Sequence, residues 1–493
     1  MKNKKPFFSI IIPTRNRADT LKYSIKSILN QEFEDYEIII CNNNSIDDTE
    51  EIVKNFANEK IIYMKSDIDL SMTDNFELAY SKATGQYVTY IADNDGFIDG
   101  SLSFLYKLLK LNNYPNIIRW EKNHYIWPCF DSINKNTLRI KLNKRIQIYH
   151  SKDIVEEIIE KKRDYTSLPM IYTSFIKKDL IDSFRLKTGK LFHSVSPDLS
   201  TGFSFTMVER NYLSLSYGIT CLGNSSKSNG HNCLRKKDND ISKDFRNLMN
   251  TSKIKFHPNI PLVKSFTAAV IEAYVTIKEA LDFKSIDNLN IKQVYLDIIK
   301  DVTIIDTEDL IETHNKIIES AKFNNELYTF ISDFLEKNPL KTNLLEENKY
   351  QNGFDASNNN LILYGKDFNL FNIADVCKFM GSFYNYSLDD ISFPDISLSN
   401  LHIIEDNAKI AIWGNGLHSK SFQELILKER KDLKIHCIID SFKENTKKEI
   451  PIFLPQNVEF FDIDYLIIAS TFLNEIKETL LSLNLQNTRI LKY

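Results

Sequence analysis

The stretch FSIIIPTRNRADTLKYSIKSILNQEFEDYEIIICNNNSIDDT, residues 8–49, decides how the chain is read. An apolar run over 7–12 stops at Pro13. Leu21, Ile25, Ile28 and Leu29 then recur at the spacing of one helix face, and a second apolar run, YEIIIC, fills 36–41. Ser45 followed by Asp48 predicts a capping box, with Ile52, Val53 and Phe56 as the buried stripe behind it. Working outward, IIYM (61–64) is a third strand, residues 74–84 a helix ended near Gly85, and QYVTYIA (86–92) a fourth strand. Strands alternating with helices predict a parallel sheet covered by helices on both faces.

The pattern then loosens. Residues 100–240 show a helix at 152–162, a turn-rich stretch at 185–202 and a Ser/Asn/Gly loop at 223–232. Residues 259–336 have helical periodicity and read as packing helices. KNPLKTNLLEENKYQNGFDASNNN (337–360) is polar and Asn-rich and reads as a linker. Alternation resumes with LILYG (361–365), KIAIWGNG (409–416), KIHCIID (434–440) and YLIIAS (465–470). The expected organisation is an α/β domain over 1–240, a helical packing segment over 241–336, a linker over 337–360 and a Rossmann-like α/β domain over 361–493.

The totals set bounds. A chain of 493 residues suits two or three domains. Hydrophobic residues make up 43% and charged residues 26%, the balance of a soluble globular protein. The net charge of -4 and pI of about 6.2 leave no overall positive excess for nucleic acid. Cys41, Cys129, Cys221, Cys233, Cys377 and Cys437 form no C-x-x-C pair. Neither a zinc knuckle nor a disulfide framework is indicated, and a reducing cytoplasm fits. The apolar run before Pro13 is too short for a signal peptide core, and no transmembrane segment is expected.

In an open parallel sheet, ligands bind outside the carboxyl ends of the strands. Three polar clusters follow strand ends: Thr14-Arg15-Asn16, Asn42-Asn43-Asn44 and Asp93-Asn94-Asp95. The fold brings them to one edge. Amides there can read a base edge, and the two carboxylates can hold Mg²⁺ or Mn²⁺ against the phosphates of a nucleotide diphosphate. A lone D-x-D pair is commonly a solvated turn, and Asn-rich turns are commonly just turns. The pattern as a whole carries the reading.

Residues 8–49, together with MTDNFELAYSKATGQYVTYIADNDGFIDGSL (72–102), resemble the family-2 glycosyltransferases, inverting enzymes of the GT-A fold. SPDLSTGFSF (196–205) and GNSSKSNGHN (223–232) resemble later elements of one bacterial subgroup, so the resemblance covers about residues 5–235. It implies that Asp93 and Asp95 grip a divalent metal on the donor diphosphate, with Asp93 also near the ribose. It places Thr14 against the base and puts Pro13 and Asn75 among the nucleotide-sugar-binding residues. Asn43 stands where many relatives carry an Asp that pairs with uracil. An amide both accepts and donates, so cytosine and guanine stay open beside uracil. Asn94 stands where relatives often have a third Asp.

The resemblance also makes Asp198, after Pro197, the general base that takes the proton from the acceptor hydroxyl. The alternative is that Ser196 or Asp198 simply caps the following helix. Some relatives use a late His as a metal ligand, a position His231 could fill; it reads equally as a solvated loop residue. Lys227 could touch a phosphate or be merely solvated, and His193 lies close to Asp198 in sequence. None of the three is assigned a role.

Further on, Gly414 and Gly416 lie between a strand and a helix, with Ser419 at the third position of G-x-G-x-x-G. Asp440 closes the next strand, where an acid can bind a ribose hydroxyl. This resembles the Rossmann-like modules appended to bacterial sugar-modifying enzymes. A fold kept for packing or partner binding reads the same residues without a cofactor.

The resemblance implies a hexosyltransferase-type enzyme. It would move a sugar from a nucleoside diphosphate, UDP the expected one, to a bacterial surface glycan or lipid-linked glycan such as capsule or lipopolysaccharide. Its expected place is the cytoplasm, with peripheral association at the inner face of the cytoplasmic membrane. A nucleotidyltransferase also needs a metal and a nucleotide crevice, but PTRNRAD lacks the Gly-rich loop expected of one. A non-catalytic sugar-nucleotide-binding or scaffold protein would not need Asp93, Asp95 and Asp198 together.

Overall fold

The computed structural model describes residues 5–234, 239–283, 289–342, 348–384, 386, 393–447, 449–483, 485 and 488–493. Strand β1 (Phe8–Thr14) feeds α1 (Ala18–Leu29), β2 (Tyr36–Asn42) feeds α2 (Thr49–Asn55), and β3 (Ile61–Lys65) feeds α3 (Met72–Tyr80). Then come β4 (Tyr87–Tyr90), the short β5 (Gly96–Phe97) and α4 (Ser101–Leu111). β1 pairs in parallel with β2 and β4, and β2 with β3. The spatial order β3-β2-β1-β4 reverses at β1, which opens a crevice at the carboxyl ends of β1 and β4.

Every residue of β1 and β2 is buried. Alternate side chains point to opposite faces. Ile10, Ile12, Ile38 and Ile40 pack with Leu21, Ile25 and Ile28 of α1, while Ile11, Ile39 and Cys41 pack with Phe76 and Ala79 of α3. The capping box expected at Ser45 does not form. α2 starts at Thr49 with no side-chain cap from Asp48, and Ser45 Oγ instead accepts the Asn16 N–H at 2.9 Å across the strand ends.

The stretch that reads as irregular supplies the rest of the sheet. It folds as β6 (Ile117–Ile126), β7 (Thr137–Lys141), β8 (Ile146–His150), α5 (Ser151–Ile159), β9 (Ser174–Lys177), α6 (Lys178–Thr188), α7 (Pro197–Val208) and β10 (Asn211–Asn224). β9 lies antiparallel between β4 and β6. β10 runs parallel to β6, with register shifts after Leu215 and after Gly218, and its far end meets β5. The Ser/Asn/Gly loop is shorter than expected, because Gly223 and Asn224 finish β10 and α8 (Asn229–Leu234) begins at Asn229. Helices α9 (Asp240–Thr251), α10 (Phe266–Ala280), α11 (Ile291–Asp301), α12 (Thr307–Ala321) and α13 (Asn325–Lys337) follow.

The expected linker is corrected. β11 (Gly353–Asp355) and β12 (Asn360–Tyr364) form a hairpin, and β12 pairs antiparallel with β7. Asn134 donates to the Asn348 carbonyl at 2.9 Å and accepts the Tyr350 N–H at 2.7 Å. LILYG, expected to open the second domain, is therefore an added strand of the first sheet. α14 (Ile373–Tyr384) also packs on the first sheet, through Ile373, Cys377 and Met380. The Asn-rich run is a hairpin turn, with Asn359 at φ 50°. A short apolar run does not name the strand it will pair with. Residues 343–347 of that expected linker lie outside the described residues.

The second sheet starts later than expected. It contains β13 (Lys409–Trp413), followed by α15 (Leu417–Glu429), then β14 (Lys434–Ile439), β15 (Ile452–Phe453), β16 (Tyr465–Ile468), α16 (Leu473–Ser482) and β17 (Arg489–Lys492). All its pairs are parallel, in the order β15-β14-β13-β16-β17. Among the described residues, no helix is long and apolar enough to cross a membrane.

Candidate active site

Asp93 and Asp95 follow β4 at the point where the strand order reverses. From the other side of that crevice, Thr14 at the end of β1 donates its hydroxyl to Asp93 Oδ2 at 2.8 Å. Arg17 Nε lies 3.7 Å from Asp93 Oδ1. Asp95 Oδ1 accepts the Gly223 N–H from β10 at 2.8 Å. Asn94 Nδ2 donates to the Gly223 carbonyl at 2.6 Å, and Trp127 Nε1 donates to the Asn94 carbonyl at 3.1 Å. A carboxylate at position 94 could not donate to that carbonyl, which gives Asn94 a physical reason. A Cβ on Gly223 would lie 1.9 Å from the Asn94 carbonyl oxygen, so β10 can approach this turn only with glycine there.

Both acids are buried, at 8% and 6% exposure. Burial raises the Asp93 carboxyl, against Arg17 and the Thr14 hydroxyl. Burial pushes Asp95 up to about 7, against the Gly223 amide and Lys122, and the Asp93 charge adds to the rise. Two desolvated carboxylates on one turn favour a nearby cation. Each keeps an oxygen outside the hydrogen bonds described above. Among the described residues, no three His, Cys, Asp or Glu side chains gather into a metal cage. The pair thus fits Mg²⁺ or Mn²⁺ in the mode where substrate phosphates and water complete the shell.

Two residues with no role in the sequence reading join this crevice. Lys122, half-buried on β6, stands beside the register shift that follows Gly218. Burial lowers its pKa, while the nearby charges of Asp198 and Asp95 oppose the drop. Tyr172, in the short turn Ile171–Thr173, sits among Asp198, Asp95 and Asp93. Burial, then those acids, hold its phenol well above the usual range. The available signal for Lys122 was a charged residue inside the aromatic run RWEKNHYIW; Tyr172 had none.

Asp198 is the second residue of α7, after Pro197. Ser196 takes the N-cap position and makes no side-chain cap. Neither side chain caps the helix, so the capping alternative is not realised, and a carboxylate in the first turn is favoured by the helix dipole.

Other expected site residues are placed differently. Thr14 bonds Asp93, as above. Asn43 donates to the Leu70 carbonyl and accepts the Leu70 N–H, both at 2.8 Å, which leaves it one amide hydrogen and one lone pair. Asn75 Oδ1 accepts from Cys41 Sγ at 3.2 Å. Both amides are buried and fasten the β3–α3 region to the end of β2. Pro13 is buried in β1 opposite Cys41. His193 Nε2 bonds the Lys190 carbonyl, and burial lowers its pKa to about 4. Lys227 donates to the Asn16 carbonyl at 3.1 Å and pairs with Asp19 at 3.2 Å. The His231 side chain lies outside the described residues.

A doubly wound sheet with two buried acids at its switch point is a fold of the GT-A type. Residues 9–185 match the family model for glycosyl transferase family 2, and this domain belongs to that family. Residues 406–491 match the model described as C2185-like, N-terminal. Over 103 residues the chain is 38% identical to the GalNAc(5)-diNAcBac-PP-undecaprenol beta-1,3-glucosyltransferase of Campylobacter jejuni, covering 20% of this chain and 33% of that relative. The match thus spans a third of that relative's length. Over 340 residues it is 25% identical to the abequosyltransferase RfbV of Salmonella typhimurium, covering 54% of this chain and 99% of that relative. Among solved structures, S. aureus TarS 1-349 aligns with a TM-score of 0.36 and 13% identity, covering 71% of this chain and 100% of that chain.

Proposed function

We propose that the protein is an inverting glycosyltransferase that moves a sugar from a nucleoside diphosphate, UDP in the first instance, to a lipid-linked or surface glycan of a bacterium. The observation that carries this reading is the convergence of Asp93, Asp95, Lys122 and Asp198 on one switch-point crevice. The lipid-linked acceptor is supported by the diphosphoundecaprenol glycans named for two matched relatives. It would place the enzyme at the inner face of the cytoplasmic membrane.

Asp93 and Asp95 would hold a divalent ion, which when bound neutralises charge on the diphosphate. Asp198 takes the proton from the acceptor hydroxyl as it attacks the anomeric carbon from the face opposite the leaving group. Lys122, whose charged form is favoured by Asp198 and Asp95 against burial, would offer positive charge to the departing phosphate. The remaining amide hydrogen and lone pair of Asn43 are available to a base edge.

A thermal-shift panel of UDP-, GDP- and CDP-sugars, with and without Mn²⁺, tests this. The reading expects one nucleotide sugar to raise Tm only when the metal is present. Stabilisation by none of them, or stabilisation that ignores the metal, contradicts it.

A further inference from the structure

Helices α9 to α13 read as packing, yet one side chain among them reaches the loop that leads into Asp198. Glu272, in the middle of α10, is 0% exposed. Its Oε2 accepts from Ser194 Oγ at 2.5 Å, and its Oε1 accepts from Thr276 Oγ1 at 3.2 Å and from the His257 N–H at 3.3 Å. The side chain acts as an acceptor at both oxygens. Burial pushes its carboxyl up to about 7. An apolar residue of similar size would fill this volume without desolvating an acid.

What the acid holds is Ser194. Ser194 Oγ in turn accepts the Ser196 N–H at 3.1 Å, and Ser196 is the N-cap residue of α7. From the opposite side, Thr73 Oγ1 of α3 donates to the Ser194 carbonyl at 3.1 Å. The loop is therefore clamped between α3, which flanks the sugar-donor crevice, and α10. The Phe203 and Tyr274 rings of α7 and α10 pack at 5.4 Å along the same contact.

We propose that Glu272 is a positioning residue for sugar transfer: through Ser194 it fixes the start of α7, and with it the place of the Asp198 carboxylate. This rests on the reading of Asp198 as the base. Loss of the clamp costs turnover because a small misplacement of a catalytic group is expensive in rate, while the sugar-donor crevice keeps its own contacts.

The test uses Glu272→Gln and Ser194→Ala, alone and together, in the full chain. Amide hydrogen exchange over 193–198 is read without substrate. Initial rates and affinity are read with whichever of UDP-glucose, UDP-galactose or UDP-N-acetylglucosamine the chain turns over. Each single variant is expected to speed exchange in that segment and to lower kcat, both by about tenfold, with sugar-donor affinity unchanged. The double variant should be no worse than the worse single one, because both break one chain of contacts. Unchanged exchange over 193–198, effects that add, or a lower Tm with kcat intact would overturn the proposal. Asp198→Asn is assayed alongside. If it keeps full turnover, the base reading fails while the exchange result still judges the clamp.

Discussion

At the carboxyl end of the first sheet, Thr14 and Asp93 meet across the switch point at 2.8 Å, and both are buried. At the same end of the second sheet, Asn415 and Asp440 meet at 3.4 Å, with Asn415 exposed. Asp440 also accepts the N–H groups of Phe442 and Lys443, so it stabilises its own turn. Around it Leu417, Phe442 and Phe472 stand 82%, 86% and 63% exposed. Both sheets have the strand order that opens a crevice. The difference is the cover. β10 closes on the first edge through Gly223, where both acids are buried, whereas the side chains named at the second edge stand exposed. Topology offers a crevice, and the cover changes the chemistry of what lies in it.

The comparison breaks outright if the two acidic turns are interchangeable. Asp95→Ala should lower turnover by on the order of 10³-fold, because an electrostatic contact in a desolvated site is removed. Asp440→Ala should leave turnover unchanged. Initial rates of UDP release in Mn²⁺ decide both, and excess chelator should reproduce the first effect on the unaltered chain.

A pair of glycines sharpens the contrast at smaller scale. Gly223→Ala would set a Cβ 1.9 Å from the Asn94 carbonyl, and Gly414→Ala, at φ 126°, one 2.4 Å from the Ala469 carbonyl. Each should cost about 1–3 kcal/mol in a denaturant titration, since the clash is with backbone. Only Gly223→Ala should also weaken UDP binding by calorimetry, because it displaces the amide that holds Asp95.

The smallest effect is a slope. Glu272 is raised from 4.5 to about 7 by burial. Between those values the native protein holds a proton that the unfolded chain releases, so this group's contribution to stability falls as pH rises through the window. Glu272→Gln should remove that part of the dependence. Tm of the unaltered chain relative to the variant should decline from about pH 5 to about pH 7.5. A parallel Tm profile for the two would contradict the burial of that acid.

Much of the first fold could be read directly. β1 and β2 are continuous apolar runs because both faces are covered, and their stops, Pro13 and Asn42, mark the crevice edge. β10 escaped because NYLSLSYGITCLGN mixes small and polar residues and its register shifts twice. Hydrophobic period cannot show a strand whose partners supply the burial. The same limit misplaced residues 353–364, whose partner β7 lies far back in the chain.

In the site, residue types were legible and partners were not. Asp93, Asp95 and Asp198 stand out as acids at strand and helix ends. Thr14 and Asp93 are 79 residues apart, and Asn43 and Leu70 are 27 apart, so their bonds follow only from the assembled sheet. Tyr172 reaches the acids because it leads into β9, which pairs with β4, and Lys122 because its strand β6 pairs with β10, whose Gly223 bonds Asp95.

The most direct test of the central claim is Asp198→Asn, assayed for both transfer rate and sugar-donor affinity. Asn keeps the size and the polar contacts of Asp but cannot take up a proton at neutral pH. A positioned general base is worth about 10²–10⁴ in rate. The account predicts a fall of that order in kcat with donor affinity nearly unchanged. Turnover close to that of the unaltered chain would contradict it, even with the fold and the acid pair intact.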